Sequence, residues 1–454
     1  MAHFLFVVNR VDGLRATFST AYLAAALVRR GAAVDVTDLQ HLDWDSSRAT
    51  VARAVRLPVF ARTPAAVCGV LQAAAGAERR RRAAMRSQAA PPPTSLAVAA
   101  PAAVAPFPAC PSAMTSDALH AVAPAADAPA GALESPVWRP VPAQVLEAVW
   151  LRCNPHVRRQ AGNPVFAWAA GVEALGALCL NRPAGLCRTL EKSHLFDLPA
   201  ELRPHSLISC SRTDILACVR FLGRTVVLKP ARGYGGEQVF IVERGRFDNL
   251  NAILEVLLER GPVLVQEYLQ AAADGDRRVL LWDARPIETN GRASLYRRMR
   301  PPGDLRNNLH VGGTRARCRL NRNDLAVIDG VGPYLRQQGL WLAGLDVIGG
   351  RVIEINACAP GGIHNINELY GLAIDDALAA RACQALEAHR SMPALSAGAL
   401  PARGAGTPVS PRAGTPVSPR ADAMVPARAD ALVSARADAL VSARADALVA
   451  PRAG

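Results

Sequence analysis

Residues 226–236 read Val-Val-Leu-Lys-Pro-Ala-Arg-Gly-Tyr-Gly-Gly. A short apolar strand delivers Lys229 into a glycine-rich loop, and Gln238 to Val242 reads as a second strand. Gly233, Gly235 and Gly236 lack a Cβ, so backbone N–H groups of such a loop can approach a phosphate closely. This is not a Walker loop, because the lysine precedes the glycines and no Gly-Lys-Ser/Thr follows. Taken alone, the stretch is equally a plain glycine-rich hairpin.

Two further stretches lie downstream. Val263 to Gln266 is a strand, and Glu267, Tyr268 and Leu269 form a short hinge whose backbone suits an adenine edge. Asp276, Arg277 and Arg278 then open another apolar strand that ends near Trp282, a pattern that surface turn chemistry also explains. Leu345 to Asn356 has two apolar strands around Gly349-Gly350, which predicts a hairpin. Glu354 and Asn356 are two apart and share a strand face, with Asp346 on the partner strand. Three oxygen donors on one face suit Mg²⁺, which keeps some waters and bridges phosphates; Mn²⁺ is an alternative. A carboxylate on an otherwise buried strand is costly unless it is paired or metal-bound.

The rest of the chain frames these motifs. Residues 4–8, a helix from Thr17 to Arg30 stopped by Gly31, and a strand from Ala33 to Val36 make a β-α-β start without Gly-x-Gly-x-x-Gly. The alanine- and proline-dominated segment 64–140 reads as a disordered insertion, and its run Arg79 to Arg82 as a solvated charge run. Order resumes near Val145. Beyond Ser391 the unit Arg-Ala-Asp-Ala-Leu-Val recurs every eight residues, which fits no known solenoid and reads as a disordered tail. The expected layout is 1–63, first part of an N-terminal α/β domain; 64–140, insertion; 141–190, its remainder; 191–390, a nucleotide-gripping domain; and 391–454, tail.

Bulk composition excludes some classes. The net charge of +14 comes almost wholly from arginine spread along the chain, and aromatics are 5%, too few for a base-stacking surface. No nucleic-acid partner is expected. No uncharged apolar stretch is long enough to span a bilayer, and the N-terminus lacks a signal-peptide pattern, so a cytoplasmic protein is expected. The 10 cysteines show no metal spacing and read as free thiols. Of 52 lysines and arginines only Lys192 and Lys229 are lysine, and a point charge is not interchangeable with a planar guanidinium in a tight site.

The order strand-lysine-glycine loop, hinge, arginine cluster and Asp…Glu-x-Asn resembles the ATP-grasp superfamily, and more narrowly bacterial glutathione synthetase. Leu151 to Pro155, Asn181-Arg182-Pro183, Glu191-Lys192 and the run from Asp304 to Gly313 carry the same resemblance. It implies a Rossmann-like pre-ATP-grasp domain of α/β type followed by a two-subdomain α+β ATP-grasp fold. Carried over by position, it implies that Lys192, Lys229 and the glycine loop grip ATP phosphates. Glu267, Tyr268 and Leu269 would hold adenine, and Asp276 would lie near the ribose. Arg278 and Arg298 would bind the acyl phosphate, with Asn308, Gly312 and Gly313 shaping that site. Asp346, Glu354 and Asn356 would hold Mg²⁺.

The implied reaction joins a peptide-like carboxylate to an amine through an acyl phosphate, with γ-glutamylcysteine and glycine as the family pair. A homo-oligomer is compatible with this reading. Arg232, Asn154 and the run Ala357 to Asn365 depart from the family pattern at substrate-side positions. They keep two alternatives open: a ligase for a different acid and amine, or a silent ATP-binding protein.

Overall fold

The computed structural model describes residues 1–42, 50–88, 137–142, 145–153, 164–233, 238–245, 249–301 and 312–392. These lie in one compact unit, Met1–Pro393.

The first sheet has the order β4-β3-β2-β1-β5-β6. Its strands are β1 (His3–Val8), β2 (Ala33–Asp38), β3 (Thr50–Arg56), β4 (Trp138–Pro142), β5 (Ala148–Leu151) and β6 (Leu178–Leu180). β1, β2, β5 and β6 are parallel, and β3 and β4 add an antiparallel edge. β1 is an unbroken apolar run because both of its faces are covered. Phe4, Phe6 and Val8 face a core built with α1 (Ser19–Arg29) and α2 (Pro64–Gln88), while Leu5 and Val7 face α3 (Pro164–Ala174) and α4 (Pro183–Arg188).

The expectation of a structureless 64–140 is corrected at both ends. Residues 64–88 form α2, whose Val67, Leu71 and Ala74 are buried, and 138–142 form β4. Residues i, i+4 and i+7 lie on one helix face, and alanine is the best helix former, so an alanine-rich segment with that spacing folds when a sheet receives it. The repeat tail lies outside the described residues.

The second sheet, β7-β10-β8-β9, is antiparallel throughout, with β7 (Ser206–Ser209), β8 (Val226–Pro230), β9 (Phe240–Val242) and β10 (Val263–Glu267). It packs on α5 (Arg212–Leu222) and α6 (Leu250–Leu258) as a separate small core. The third sheet, β16-β15-β11-β17-β18, is also antiparallel. Its strands are β11 (Asp276–Trp282), β15 (Leu295–Met299), β16 (Thr314–Ala316), β17 (Leu342–Ile348) and β18 (Arg351–Asn356), with β12 (Arg285–Pro286) on β11; β13 (Glu288–Thr289) and β14 (Arg292–Ala293) pair separately. The hairpin expected at Gly349-Gly350 is present. Both glycines have positive φ, 54° and 77°, as a two-residue turn matching strand twist requires.

α7 (Arg322–Gln337), opened by an Asn321–Asp324 capping box, covers one face of the third sheet; α8 (Ile363–Tyr370) and α9 (Ile374–Ser391) follow β18. Asn181 joins the first and third sheets. Its amide donates to the carbonyls of Leu342 and Ala357 at 2.8 and 2.9 Å, and its Oδ1 accepts from Leu342 N–H at 2.7 Å.

Candidate active site

Lys229 stands on β8 and is 9% exposed. Its ammonium donates to Gln266 Oε1 at 3.2 Å, and Gln266 donates in turn to Ser206 Oγ. Burial first, then the like charge of Lys192, pulls Lys229 down to about 8. Lys192 begins a six-residue 3-10 helix, Lys192–Asp197, just before the second sheet. Its Nζ donates to the Gly233 carbonyl at 2.8 Å and lies 3.5 Å from Glu354 Oε1. Lys192 thus meets Glu354 of the third sheet beside Gly233, and the buried Lys229 lies near enough to both to feel their charge. Gly235 and Gly236 lie outside the described residues. Arg232, which departs from the family pattern, pairs with Glu191 at 2.5 Å.

The hinge differs in detail from its reading. Glu267 is buried and accepts from His205 N–H at 3.0 Å and from Arg224 at 3.2 Å. Tyr268 N–H donates to Thr225 O at 3.0 Å, so it is committed to the backbone. Gln270–Asp274 turns the chain towards β11 just after Leu269.

The third sheet carries a row of charge on one face. Cross-strand pairing sets Asp276 opposite Arg298, Arg278 opposite both Tyr296 and Asp346, Asp346 opposite Glu354, and Arg298 opposite Arg315. Arg298 makes a two-pronged bond to Asp276 at 2.7 and 2.6 Å. Arg278 grips Asp346 with Nε and Nη2, the latter at 2.9 Å, and Arg298 reaches the same carboxylate at 2.9 Å. Against the penalty of burial, Arg278 and Arg298 hold Asp346 down to about 2. Burial, joined by Asp346, raises Asp276 in spite of Arg298. Asp276, expected near a ribose, pairs with Arg298. Along β11 the same face turns apolar at Leu280 and Trp282, so the charged row runs directly into core. Gly344 leaves room for Arg278, because a Cβ there would lie 3.3 Å from Arg278 Cδ.

Of the expected metal donors, Glu354 and Asn356 share a face beside Asp346, and the Asn356 amide donates to Asp346 Oδ2 at 3.3 Å. Among the described residues no group of three His, Cys, Asp or Glu side chains could hold a metal. The donor set fits a hard cation through Glu354 and the Asn356 side-chain oxygen, while the Asp346 oxygens are shared with guanidinium groups. Gly312 and Gly313 precede β16 at the end of the row; Asn308 lies outside the described residues.

Sequence reasoning missed Gln266, Tyr296, Arg315 and His194. The first three owe their place to cross-strand pairing, which no local pattern announces. His194 is buried beside Lys192, donates through Nδ1 to Glu191 O at 2.6 Å, and is pushed down to about 4 by burial.

Residues 191–371 match the family model of the prokaryotic glutathione synthetase ATP-grasp domain. Over 248 residues the chain is 35% identical to the glutathione synthetase of Thermosynechococcus vestitus, an alignment covering 53% of this chain and 72% of that one. The chain belongs to the glutathione synthetase family. The family member from Gloeobacter violaceus is 34% identical over 246 residues, with 52% and 72% covered. Among solved structures, the RimK-domain ATP-grasp protein of Sphaerobacter thermophilus has 15% identity and a TM-score of 0.45, covering 84% of this chain and 98% of that one. No helix among the described residues is long and apolar enough to cross a membrane.

Proposed function

We propose that the protein is an ATP-dependent carboxylate–amine ligase that joins γ-glutamylcysteine to glycine in the cytoplasm. The observation that carries this reading is the contact of Lys192 with Glu354, with the buried Lys229 nearby, beside the row Arg278–Asp346–Arg298. Two cations and the described start of the glycine loop, Gly233, lie beside a carboxylate-bearing sheet, an arrangement suited to polyphosphate on one side and an acyl group on the other.

In this reading the second and third sheets are the two halves of the ATP-grasp fold, and the first sheet is the Rossmann-like substrate domain. Residues 1–63 and 141–190 contribute to the substrate domain and 191–390 to the clamp. The substrate carboxylate attacks the γ-phosphorus of ATP, the bond to the bridging oxygen breaks, and ADP leaves. The amine then attacks the acyl carbon; phosphate leaves and the amide keeps one hydrogen after the nitrogen loses a proton. Lys229 and Lys192 bind the phosphates, the hinge Glu267 to Leu269 borders the adenine, and Arg278 and Arg298 steady the acyl phosphate. Glu354 and Asn356, with Asp346 behind them, would hold Mg²⁺, which when bound neutralises charge on the phosphates.

A second reading, a ligase for another acid and amine, draws on Gly361-Gly362 and His364-Asn365, where the family has a Ser-Pro-Thr-Gly-type turn and an Arg-Glu pair. Phosphate release with γ-glutamylcysteine plus glycine, against a panel of other amines and acids, tests both. Turnover only with other substrates removes the glutathione assignment, and no ATP-dependent turnover with any pair removes the ligase reading.

A further inference from the structure

A cavity of about 480 Å³ opens at the N-terminal ends of the parallel strands β1 and β5. Its size falls within the range of small-molecule sites, about 300–1,000 Å³. The third sheet and the loop after it meet the first sheet at the other end. There Asn181, after β6, bonds Leu342, and Arg152, after β5, bonds Pro360. The cavity is thus separate from the lysines and the charged row. Strand pairing builds its charged wall: β2 sets Asp35 opposite Arg56, and β3 sets Ala54 opposite Arg139.

Asp35 is 1% exposed and stands at the centre of that wall. Its carboxylate accepts from Arg56 Nε and Nη2 at 2.8 and 3.0 Å and from Arg139 Nη2 at 2.9 Å. His3 Nε2 lies 2.6 Å from the same carboxylate, and His3 Nδ1 lies 2.6 Å from the Val145 carbonyl. Against the penalty of burial, His3 and Arg56 hold the Asp35 carboxyl well below the usual carboxylate range, so it is charged at neutral pH. Two guanidinium groups therefore share one carboxylate, and one positive charge is left over. Glu147 does not offset it, because its carboxylate accepts from Arg390 Nε and from His3 N–H, both at 2.9 Å. Arg139 Nε is buried and has no partner among the described residues. Buried donors are ordinarily satisfied, so this one points to an acceptor from outside. Pro140, Val141, Pro142 and Val145 give the cavity an apolar side, and the two prolines bring no N–H to it.

We propose that this cavity binds a small organic anion, one carboxylate or phosphate group on an apolar body. The oxyanion takes the spare N–H groups of Arg139 and Arg56, whose planar forks suit a pair of oxygens. The body lies on the proline–valine side. A cation would meet net positive charge, and a neutral molecule of the same shape would leave that charge unpaired. Water reaches both arginines, their side chains being 36% and 44% exposed, so the site can fill without unfolding. Filling it should stabilise the fold, as any ligand of the native state does. The site goes beyond the ligase reading and does not depend on it.

The full chain is titrated calorimetrically with benzoate, phenyl phosphate, benzamide and inorganic phosphate, and Tm is followed alongside. Benzoate or phenyl phosphate is expected to bind at least about tenfold tighter than neutral benzamide, the worth of a charged hydrogen bond, and to raise Tm. Which of the two binds tells a carboxylate site from a phosphate site. Arg139→Gln should bring that anion down to the affinity of benzamide, while Lys229→Met, altered at the other anion-seeking site, should keep the preference. Anions no tighter than benzamide overturn the proposal. So does a preference that survives Arg139→Gln or vanishes in Lys229→Met, and so does inorganic phosphate bound as tightly as both organic anions, which would mean an adventitious ion only. A purely structural Arg139 changes Tm without any ligand preference to lose. Should Arg139→Gln fail to fold, Pro140→Glu decides, since Pro140 is exposed and outside the bonds to Asp35. Its added carboxylate should cut the preference below about threefold by like-charge repulsion, and an undiminished preference there overturns the site.

Discussion

The second and third sheets treat buried charge in opposite ways. On β8, Lys229 has one neutral partner, Gln266, and a second lysine nearby. On β11, β15 and β17, Arg278 and Arg298 are tied to Asp346 and Asp276. Burial and the like charge of Lys192 depress its proton affinity, and the carboxylates of Glu354 and Asp346 offset them only in part. The arginines are held in place by their own carboxylates before any ligand arrives. One sheet has an unfilled electrostatic need and the other a finished network. In the proposed function the two sheets therefore divide the work between attraction and alignment.

Opposite responses to mutation follow. Asp346→Ala leaves two buried guanidinium groups short of a partner and should cost about 3–5 kcal/mol of stability, read by urea unfolding, together with ligase activity. Lys229→Met removes the buried cation. It should abolish ATP-analogue binding while raising stability at pH 7 by about 3 kcal/mol, the equivalent of a pKa drawn from 10.5 to about 8. The sign checks in alkali. The folded pKa lies below the unfolded one, so the penalty is present below about 8 and fades as pH rises towards 10.5, and the advantage of Lys229→Met should close over that window. Equal destabilisation by both substitutions would erase the distinction between the sheets.

The acid limb sharpens it further. Asp346 is held at about 2 against an ordinary 3.8, so its contribution is present above pH 4 and is lost as pH falls through 2. The stability gap between wild type and Asp346→Asn should shrink by about 2 kcal/mol from pH 5 to pH 2. A gap independent of pH would mean that Asp346 is not held by its arginines.

The same contrast explains what was legible in the sequence. Lys229 announces itself through a local pattern, strand, lysine and glycines, and Glu354 and Asn356 through their two-residue spacing. Motif order then places them together. The Arg278–Asp346 bond spans 68 residues and depends on which strands become neighbours, so the sequence shows the residues without showing that they neutralise one another. The Asp276–Arg298 bond is hidden for the same reason, its partners lying 22 residues apart across a strand pair. α2 was misjudged differently. Its alanine-rich composition masks the helical spacing of Val67, Leu71 and Ala74.

The smallest expected effect is on nucleotide affinity across pH. The proposed phosphate role of Lys229 needs its charged form, and in the free protein that form is lost above about 8. A bound polyphosphate favours the ammonium, so by linkage the nucleotide raises the lysine's proton affinity as much as protonation raises the nucleotide's. Affinity for a non-hydrolysable ATP analogue should therefore be flat from pH 6.5 to 7.5. Above pH 8 it should fall by up to about tenfold per unit, the limit for one coupled proton. Lys229→Arg keeps its charge throughout and should give a flat profile from weaker starting affinity, since a guanidinium does not fit a site shaped for an ammonium. Parallel profiles for wild type and Lys229→Arg would show that the buried lysine is not the group whose charge the phosphates use, and would move that role to Lys192, which already lies beside Glu354.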